Sequence, residues 1–294
     1  MKVFFIGVFD NNNVSTNNSQ AWGLAKLGHE VTGYSFRHRI AAIGLQNVCF
    51  ELPEEISNVK PDLVLVSKCA ELPADLIRSI TETGKRNNYK TCYWYMDPPS
   101  SVNDDILLKS SLCTYSTIAW KGNLEEFSEY NKNCHVVIEG FDSNTDKPHV
   151  NQEKKFDVSF IGSLHSNRQQ LLSNLDPGVT IVQNAFAEAH AEAVGASRIN
   201  LNVSTSGGAS DRVFKVLAAG GFLMTNDFVG REDMFEDGEH LVIWKDKKDL
   251  QKKITWYLKN QEVMEEIAAS GLKQVQQFNR IEWARQIVEY AENA

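Results

Sequence analysis

No stretch of the 294 residues is apolar for the roughly 20 positions that a membrane-spanning helix needs. The opening MKVFFIGVFDNNN has one lysine and a short apolar run with an acidic, asparagine-rich sequel, whereas an export signal needs a longer apolar region and a cleavage site. It reads as a first strand, and the expected compartment is the cytoplasm. Cysteines are few. Cys49, Cys69, Cys92, Cys113 and Cys134 are odd in number, evenly scattered and without a C-x-x-C pair, which argues against a disulfide framework and a zinc site and leaves mostly buried free thiols. No histidine pair has metal spacing such as H-E-x-x-H. A G-x-G-x-x-G after the first strand is also missing, which counts against a nucleotide-binding oxidoreductase. Positive charge is in deficit: the net charge of −8 gives no global attraction for nucleic acid or an anionic membrane, although a local basic patch could still serve.

What is present is an ordinary globular composition, 42% hydrophobic and 23% charged, in a chain long enough for two domains. Strand and helix signals alternate. KVFFIGV, HEVTGYSF, PDLVLVSK, KTCYWYMDPP and LCTYSTI read as strands, and the segments from about Ser19 to Leu27 and LPADLIRSITETGKRN read as helices. The alternation implies parallel pairing in a doubly wound sheet, whose ligands collect at the carboxyl ends of strands, so functional loops are expected to begin near Asp10, Arg37, Lys68, Asp97 and Ser116. A glycine turn and a polar stretch with Pro148 mark a boundary near residue 150, giving domains 1–150 and 151–294. FDVSFIGSL then restarts the pattern, HSNRQQLLSNL supplies a helix capped by Ser166 or Asn167, and after Asp246 the chain is mainly helical.

The stretch from Ile199 to Asp246 organises the rest. An apolar run to Val203 is followed by STSGGAS and then by DRVFKVLAAGG, with Val213, Phe214, Leu217 and Ala218 at helical spacing. The helix starts at Ser210 or Asp211 and stops at Gly220-Gly221, before the strand-like FLMTND. A helix N-terminus with Arg212 and, one turn on, Lys215 suits a diphosphate through dipole, amides and two cations. The plain alternative is an ordinary crossover with solvated basic residues.

Leu201-Asn202, Arg212, Phe214, Ala218, Gly220, Phe235, Gly238, Glu239, Asp246, Asp249 and Leu250 together form a pattern that resembles the CgeB-like glycosyltransferases, within the group-1 glycosyltransferases of GT-B fold. The likeness runs through roughly the second half of the chain to Arg285, and the GHEVT turn at Gly28 is similar to that of GT-B amino-terminal domains. The resemblance implies two Rossmann-like doubly wound domains with a helical C-terminal tail, the last helix crossing back onto the first domain. It also implies transfer of a hexosyl or pentosyl group from a nucleotide-diphosphate sugar, with uridine as the expected nucleotide, in the cleft between the domains. No cofactor is expected beyond the nucleotide sugar as co-substrate. Nor is a metal, since GT-B enzymes generally do without the D-x-D motif that is missing here. One departure stands out: the two glutamates of the group-1 E-x7-E pattern are replaced by Gly207 and Lys215, so no role assigned to them carries over.

The chemistry of such a transfer nominates further residues. For the diphosphate these are Arg212, Lys215, Gly207 and Gly208, with Arg168 and Ser163 from a G-S…R segment that CgeB-like proteins resemble. For the base, Asp97 closes an apolar strand whose exit two prolines fix; its alternative is a turn cap, and Asp10 after the first strand is next in line. Glu232 and Asp233 could accept hydrogen bonds from sugar hydroxyls, or simply answer a helix dipole. His165 could face the donor, His29 belongs to its turn, and Trp22, Trp94 and Trp120 fit a core role better than a stacking surface. Arg37-His38-Arg39 could meet a phosphate-bearing acceptor, including a hydroxymethylated base in DNA. A catalytically silent nucleotide-sugar binder, and an epimerase of doubly wound fold, are the alternatives from other classes.

Overall fold

Branched and aromatic residues crowd the strands because both faces of each sheet are covered, as parallel sheets require. A computed structural model describes residues 1–11, 15–97, 99–149, 152–204 and 207–294. Two units result: Met1–Glu139 together with Arg280–Ala294, and Gly140–Asn279. The first break thus falls at Gly140, whereas residues 150 and 151, where the boundary was expected, lie outside the described ones.

The first unit contains β1 (Lys2–Gly7), α1 (Thr16–Lys26), β2 (Glu30–Ser35), α2 (Phe36–Ile43), α3 (Leu45–Val59), β3 (Leu63–Ser67), α4 (Ala74–Asn87), β4 (Lys90–Tyr95), α5 (Asp104–Leu112), β5 (Tyr115–Ile118), α6 (Leu124–Tyr130) and β6 (Cys134–Val136). Its strands pair in parallel in the order β2-β1-β3-β4-β5-β6, with Phe5 opposite Leu65 and Val66 opposite Tyr93. Alternation along a strand sends Phe4, Ile6, Val64, Val66, Tyr93 and Tyr95 into one core, and Val3, Phe5, Leu63, Leu65, Cys92 and Trp94 into the other. Two expected loops are not loops. β2 passes straight into α2, so Arg37 is helical, and Ser116 is buried inside β5.

The second unit contains β7 (Phe156–Ile161), α7 (Ser166–Leu172), β8 (Thr180–Val182), α8 (Glu188–Gly195), β9 (Ser197–Asn202), α9 (Asp211–Ala218), β10 (Leu223–Asn226), β11 (Val242–Trp244), α10 (Lys247–Tyr257) and α11 (Gln261–Val275). Its sheet is parallel, in the order β11-β10-β9-β7-β8. Val158, Phe160, Ile199, Leu201, Met224 and Val242 build one core with Leu250, Ile254 and Met264 of the helices. His165, not Ser166 or Asn167, stands at the cap position of α7, and its side chain makes no capping hydrogen bond.

The last helix, α12 (Arg280–Asn293), belongs to the first unit. Its apolar stripe of Trp283, Ala284, Ile287, Val288 and Ala291 covers the Val3, Phe5 and Trp94 face of the sheet, with the Trp94 and Trp283 rings edge to face at 5.7 Å. α1 and α12 approach so closely that a Cβ on Gly23 would lie 2.3 Å from the Arg280 carbonyl oxygen. The Arg280 guanidinium is buried, donates to Ser19 Oγ at 3.0 Å and pairs with Glu139 at 3.5 Å. Cys69, Cys92, Cys113 and Cys134 are buried free thiols, and Trp94, Trp120, Trp244 and Trp283 are buried. No helix among the described residues is long and apolar enough to cross a membrane.

Candidate functional site

At the carboxyl edge of the second sheet, β9 ends on Asn202, a fully buried amide where the strand pattern asks for an apolar side chain. Its Nδ2 donates to Thr225 Oγ1 at 2.9 Å, which fixes the amide and turns Oδ1 toward α9. That oxygen accepts from Arg212 Nη1 at 2.8 Å and from Ser210 Oγ at 3.0 Å. Ser210 precedes α9 as expected of a cap, but its hydroxyl is spent on Asn202 and makes no capping bond to the helix. The first-turn amides of α9 therefore lack a side-chain acceptor from this residue.

Arg212 Nε donates to the Ile161 carbonyl at 2.6 Å, and the guanidinium lies over the Phe160 ring, 4.7 Å from its centroid. Burial pushes its pKa down to about 10, with Asp211 opposing and Arg168 adding to the shift, so it remains a cation at neutral pH. Arg168, on α7, reaches the same ring at 5.5 Å while donating to the Val203 carbonyl and the Ser163 carbonyl, each at 3.2 Å. Burial lowers its pKa as well. Gly162, at φ 140°, leaves the space for Arg212: a Cβ there would lie 2.4 Å from Arg212 Nη2. Neither arginine forms an ion pair with a carboxylate among the described residues, although two desolvated like charges beside one ring repel. An anion offering several oxygens would relieve that repulsion and accept charge-assisted hydrogen bonds from both.

The remaining donor-side candidates differ in availability. Lys215 is one turn along α9 and is held by Asp211 at 2.8 Å. Gly207, at φ 78°, accepts through its carbonyl from Val229 N at 2.9 Å, and the Gly208 carbonyl accepts from Ser204 Oγ at 2.7 Å; Thr205 and Ser206 lie outside the described residues. Asn226 exchanges two hydrogen bonds with the Ser204 backbone, at 2.7 and 2.8 Å, and so anchors the start of this loop. Ser163 and His165 are exposed. Glu232 and Asp233 are exposed on a 3-10 turn, Arg231–Asp233, that follows Gly230 at φ 82°. His190 on α8 is buried, and its Nδ1 has no hydrogen-bond partner among the described residues.

In the first unit, the carboxyl edge brings Asp97 after β4 into an ion pair with Lys68 after β3. Asp10 is committed to its own loop: Oδ2 accepts from Ser15 N at 2.6 Å and its carbonyl accepts from Asn18 Nδ2 at 2.6 Å. Arg37 pairs with Glu71 at 2.7 Å, and Arg39 pairs with Glu51, which also accepts from Tyr34 Oη at 2.9 Å. His38 between them is exposed. No cluster of three or more His, Cys, Asp or Glu among the described residues could hold a metal ion. Phe160 carries no signal of its own in the sequence, whereas Asn202 is marked there only as part of the family-like pattern and Lys68 only as the start of an expected loop; the contacts that give all three a place at a site come from the fold.

Residues 148–289 match a protein family described as glycosyl transferase-like. Among curated proteins there is no sequence match to the chain. Solved structures similar to it include Anabaena HepE in complex with UDP-glucose, with TM-score 0.74 and 12% identity over 100% of both chains. A glycosyltransferase from Rickettsia africae has TM-score 0.69 and 13% identity over 99% of this chain and 98% of its own. Sucrose-phosphate synthase from Thermosynechococcus elongatus has TM-score 0.70 and 12% identity, again over 99% and 98%. The chain has the GT-B fold, two parallel sheets with flanking helices and a helical end, and its residues 148–289 are glycosyl transferase-like in sequence.

Proposed function

We propose that the protein is a CgeB-like glycosyltransferase that moves a sugar, hexosyl or pentosyl, from a UDP-linked donor to an acceptor hydroxyl, without a metal. The observation behind this reading is the pair of guanidinium groups, Arg168 and Arg212, converging over Phe160 beside the start of α9 with no carboxylate paired to either among the described residues. As the bond from the anomeric carbon to the β-phosphate oxygen breaks, its electrons leave on the diphosphate, and these fixed cations oppose the growing charge. Asn202 holds Arg212 ready for that task, so little reorganisation is needed. Glu232 and Asp233 are the proposed acceptors for sugar hydroxyls, and Asp97 the base that takes the acceptor proton in an inverting transfer. Arg37 and Arg39 already have carboxylate partners, which favours an acceptor other than DNA phosphate on that surface.

A second reading, a silent nucleotide-sugar binder, is favoured by Lys215, which stands at a family glutamate and is tied to Asp211. One experiment separates the two. UDP-glucose is titrated by calorimetry into the native protein and Asp97→Asn, with and without EDTA, and UDP release and product stereochemistry are followed over a panel of acceptors that includes hydroxymethylcytosine DNA. The transferase reading expects donor binding in both proteins, turnover that survives EDTA, an inverted product, and a fall of about 10²–10⁴-fold in Asp97→Asn. Binding without product from any acceptor favours the silent binder, and no binding of any UDP-sugar refutes both.

A further inference from the structure

At the carboxyl end of β3 two consecutive residues other than glycine, Lys68 at φ 61° and Cys69 at φ 43°, take left-handed backbone conformations. A turn that only reversed the chain would place glycine or asparagine there, and side chains held in this region persist only where their surroundings fix them. Here they do. Tyr93 Oη, from β4, donates to the Lys68 carbonyl at 2.8 Å, and Lys68 N donates to the Trp94 carbonyl at 2.9 Å. From α5 the fully buried Lys109 ammonium donates to the Ala70 carbonyl at 3.0 Å, while pairing with Asp105 at 2.6 Å. A buried ammonium spent on turn carbonyls is an unusual investment for a plain loop. Its outcome is that Lys68, half-buried, projects its side chain onto Asp97 at the end of the neighbouring strand. The other charges acting on Lys68 are Arg37 of α2 and Glu71 of the same turn, which pair with each other at 2.7 Å. Burial, then Arg37, holds the Lys68 ammonium below its ordinary value with Glu71 opposing, and the Asp97 carboxylate lies in direct contact with it.

We propose that Lys68 is a positioning residue for the transfer, holding the Asp97 carboxylate ionised and fixed in orientation so that it can receive the acceptor proton. This rests on the assignment of Asp97 as the base. In the step itself the acceptor oxygen bonds to the anomeric carbon, its proton passes to Asp97, and the bond from that carbon to the β-phosphate oxygen breaks with its electrons leaving on UDP. Lys68 keeps its own protons throughout. Its charge widens the pH range over which Asp97 is a carboxylate, because an adjacent cation lowers a carboxylate pKa by about 1–3 units.

The test compares the full-length native protein with Lys68→Met, which keeps length and removes charge, and with Lys68→Arg, which keeps charge. Melting curves establish that each variant is folded. The Asp97 carboxyl carbon, assigned by its loss in Asp97→Asn, is titrated by NMR, and kcat/KM for UDP release from UDP-glucose is measured against pH. In Lys68→Met both the carbon titration and the acid limb of the rate profile are expected to move up by about 1–3 pH units, with UDP-glucose affinity unchanged and the rate recovering at higher pH. Lys68→Arg should keep the native limb. A limb that does not move in Lys68→Met, while Asp97→Asn is still inactive, overturns the role of Lys68 and leaves Asp97 as the base. Full turnover in Asp97→Asn, or no UDP release by the native protein, overturns it together with the assignment on which it rests.

Discussion

Arg212 shows how much a single side chain can be asked to do. It donates to a backbone carbonyl of β7 and to the Asn202 amide, lies against an aromatic face, and still has a cationic edge. Arg212→Ala is expected to weaken UDP-glucose binding by roughly 1.5–3 kcal/mol, about 10–150-fold in Kd, as hydrogen bonds to charged groups do. Arg212→Lys should recover only part of this, since an ammonium cannot span both partners in the plane of a guanidinium. Calorimetry decides, and an unchanged Kd in the alanine variant removes Arg212 from the donor site. His190 makes a stability prediction. Its pKa is pushed down to about 4 from 6.5, first by burial, then by the Lys215 charge, with Asp211 opposing and Arg212 adding. The unfolded chain thus takes up a proton near pH 6.5 that the folded chain resists until about 4, so stability is full above that window and falls as pH drops through it. The loss is on the order of 3 kcal/mol, and urea midpoints of His190→Gln should show a flatter decline between those pH values than the native protein. Equal slopes would show that the imidazole is not the group responsible.

Among the elements, strands were the most legible and the starts of helices the least. KVFFIG, LVLVS and KTCYWY are buried at every position but the first of β1 and β4, and mostly apolar, because helices cover both faces of the sheet, which leaves a signal in the sequence without any partner being known. By contrast α2 begins at Phe36 with no side-chain cap, so nothing marked Arg37 as helical. The same holds for the cap residue of α9: serine before an aspartate and a periodic helix predicts the boundary well, yet the hydroxyl bonds Asn202 from a strand that only the fold brings near. Close helix contact is another property of pairs of elements. Gly23→Ala should destabilise the protein by roughly 1–3 kcal/mol although alanine favours helix by about 1 kcal/mol, because the new Cβ would meet the Arg280 carbonyl at 2.3 Å. A lowered denaturation midpoint with an unchanged far-ultraviolet spectrum is the expected result, and a raised midpoint would mean that α12 shifts without strain.

For the whole molecule, the last fifteen residues contribute to a unit that begins at residue 1. A chain ending at Asn279 would uncover the sheet face of Val3, Phe5, Leu65 and Trp94 and strand Glu139 without Arg280. It is expected to bind a hydrophobic dye and to aggregate on sizing columns, whereas a monodisperse product with the native melting profile would show that α12 is dispensable. The sequence by itself determined the alternation of strands and helices, hence the doubly wound class. It also marked a glycine loop leading into a helix with basic residues, because these are local consequences of spacing, burial and capping. Tertiary structure decided which charges were available. Arg212 and Arg168 meet over Phe160 with no ion pair among the described residues, whereas Lys215, Arg37 and Arg39 are each matched to a carboxylate, and Asp97 is matched to a lysine held in a left-handed turn. Such pairings lie across strands and helices far apart in the chain, except for the one-turn pair on α9. A charge's partner depends on the few ångströms that folding imposes, over which Coulomb energy changes most steeply.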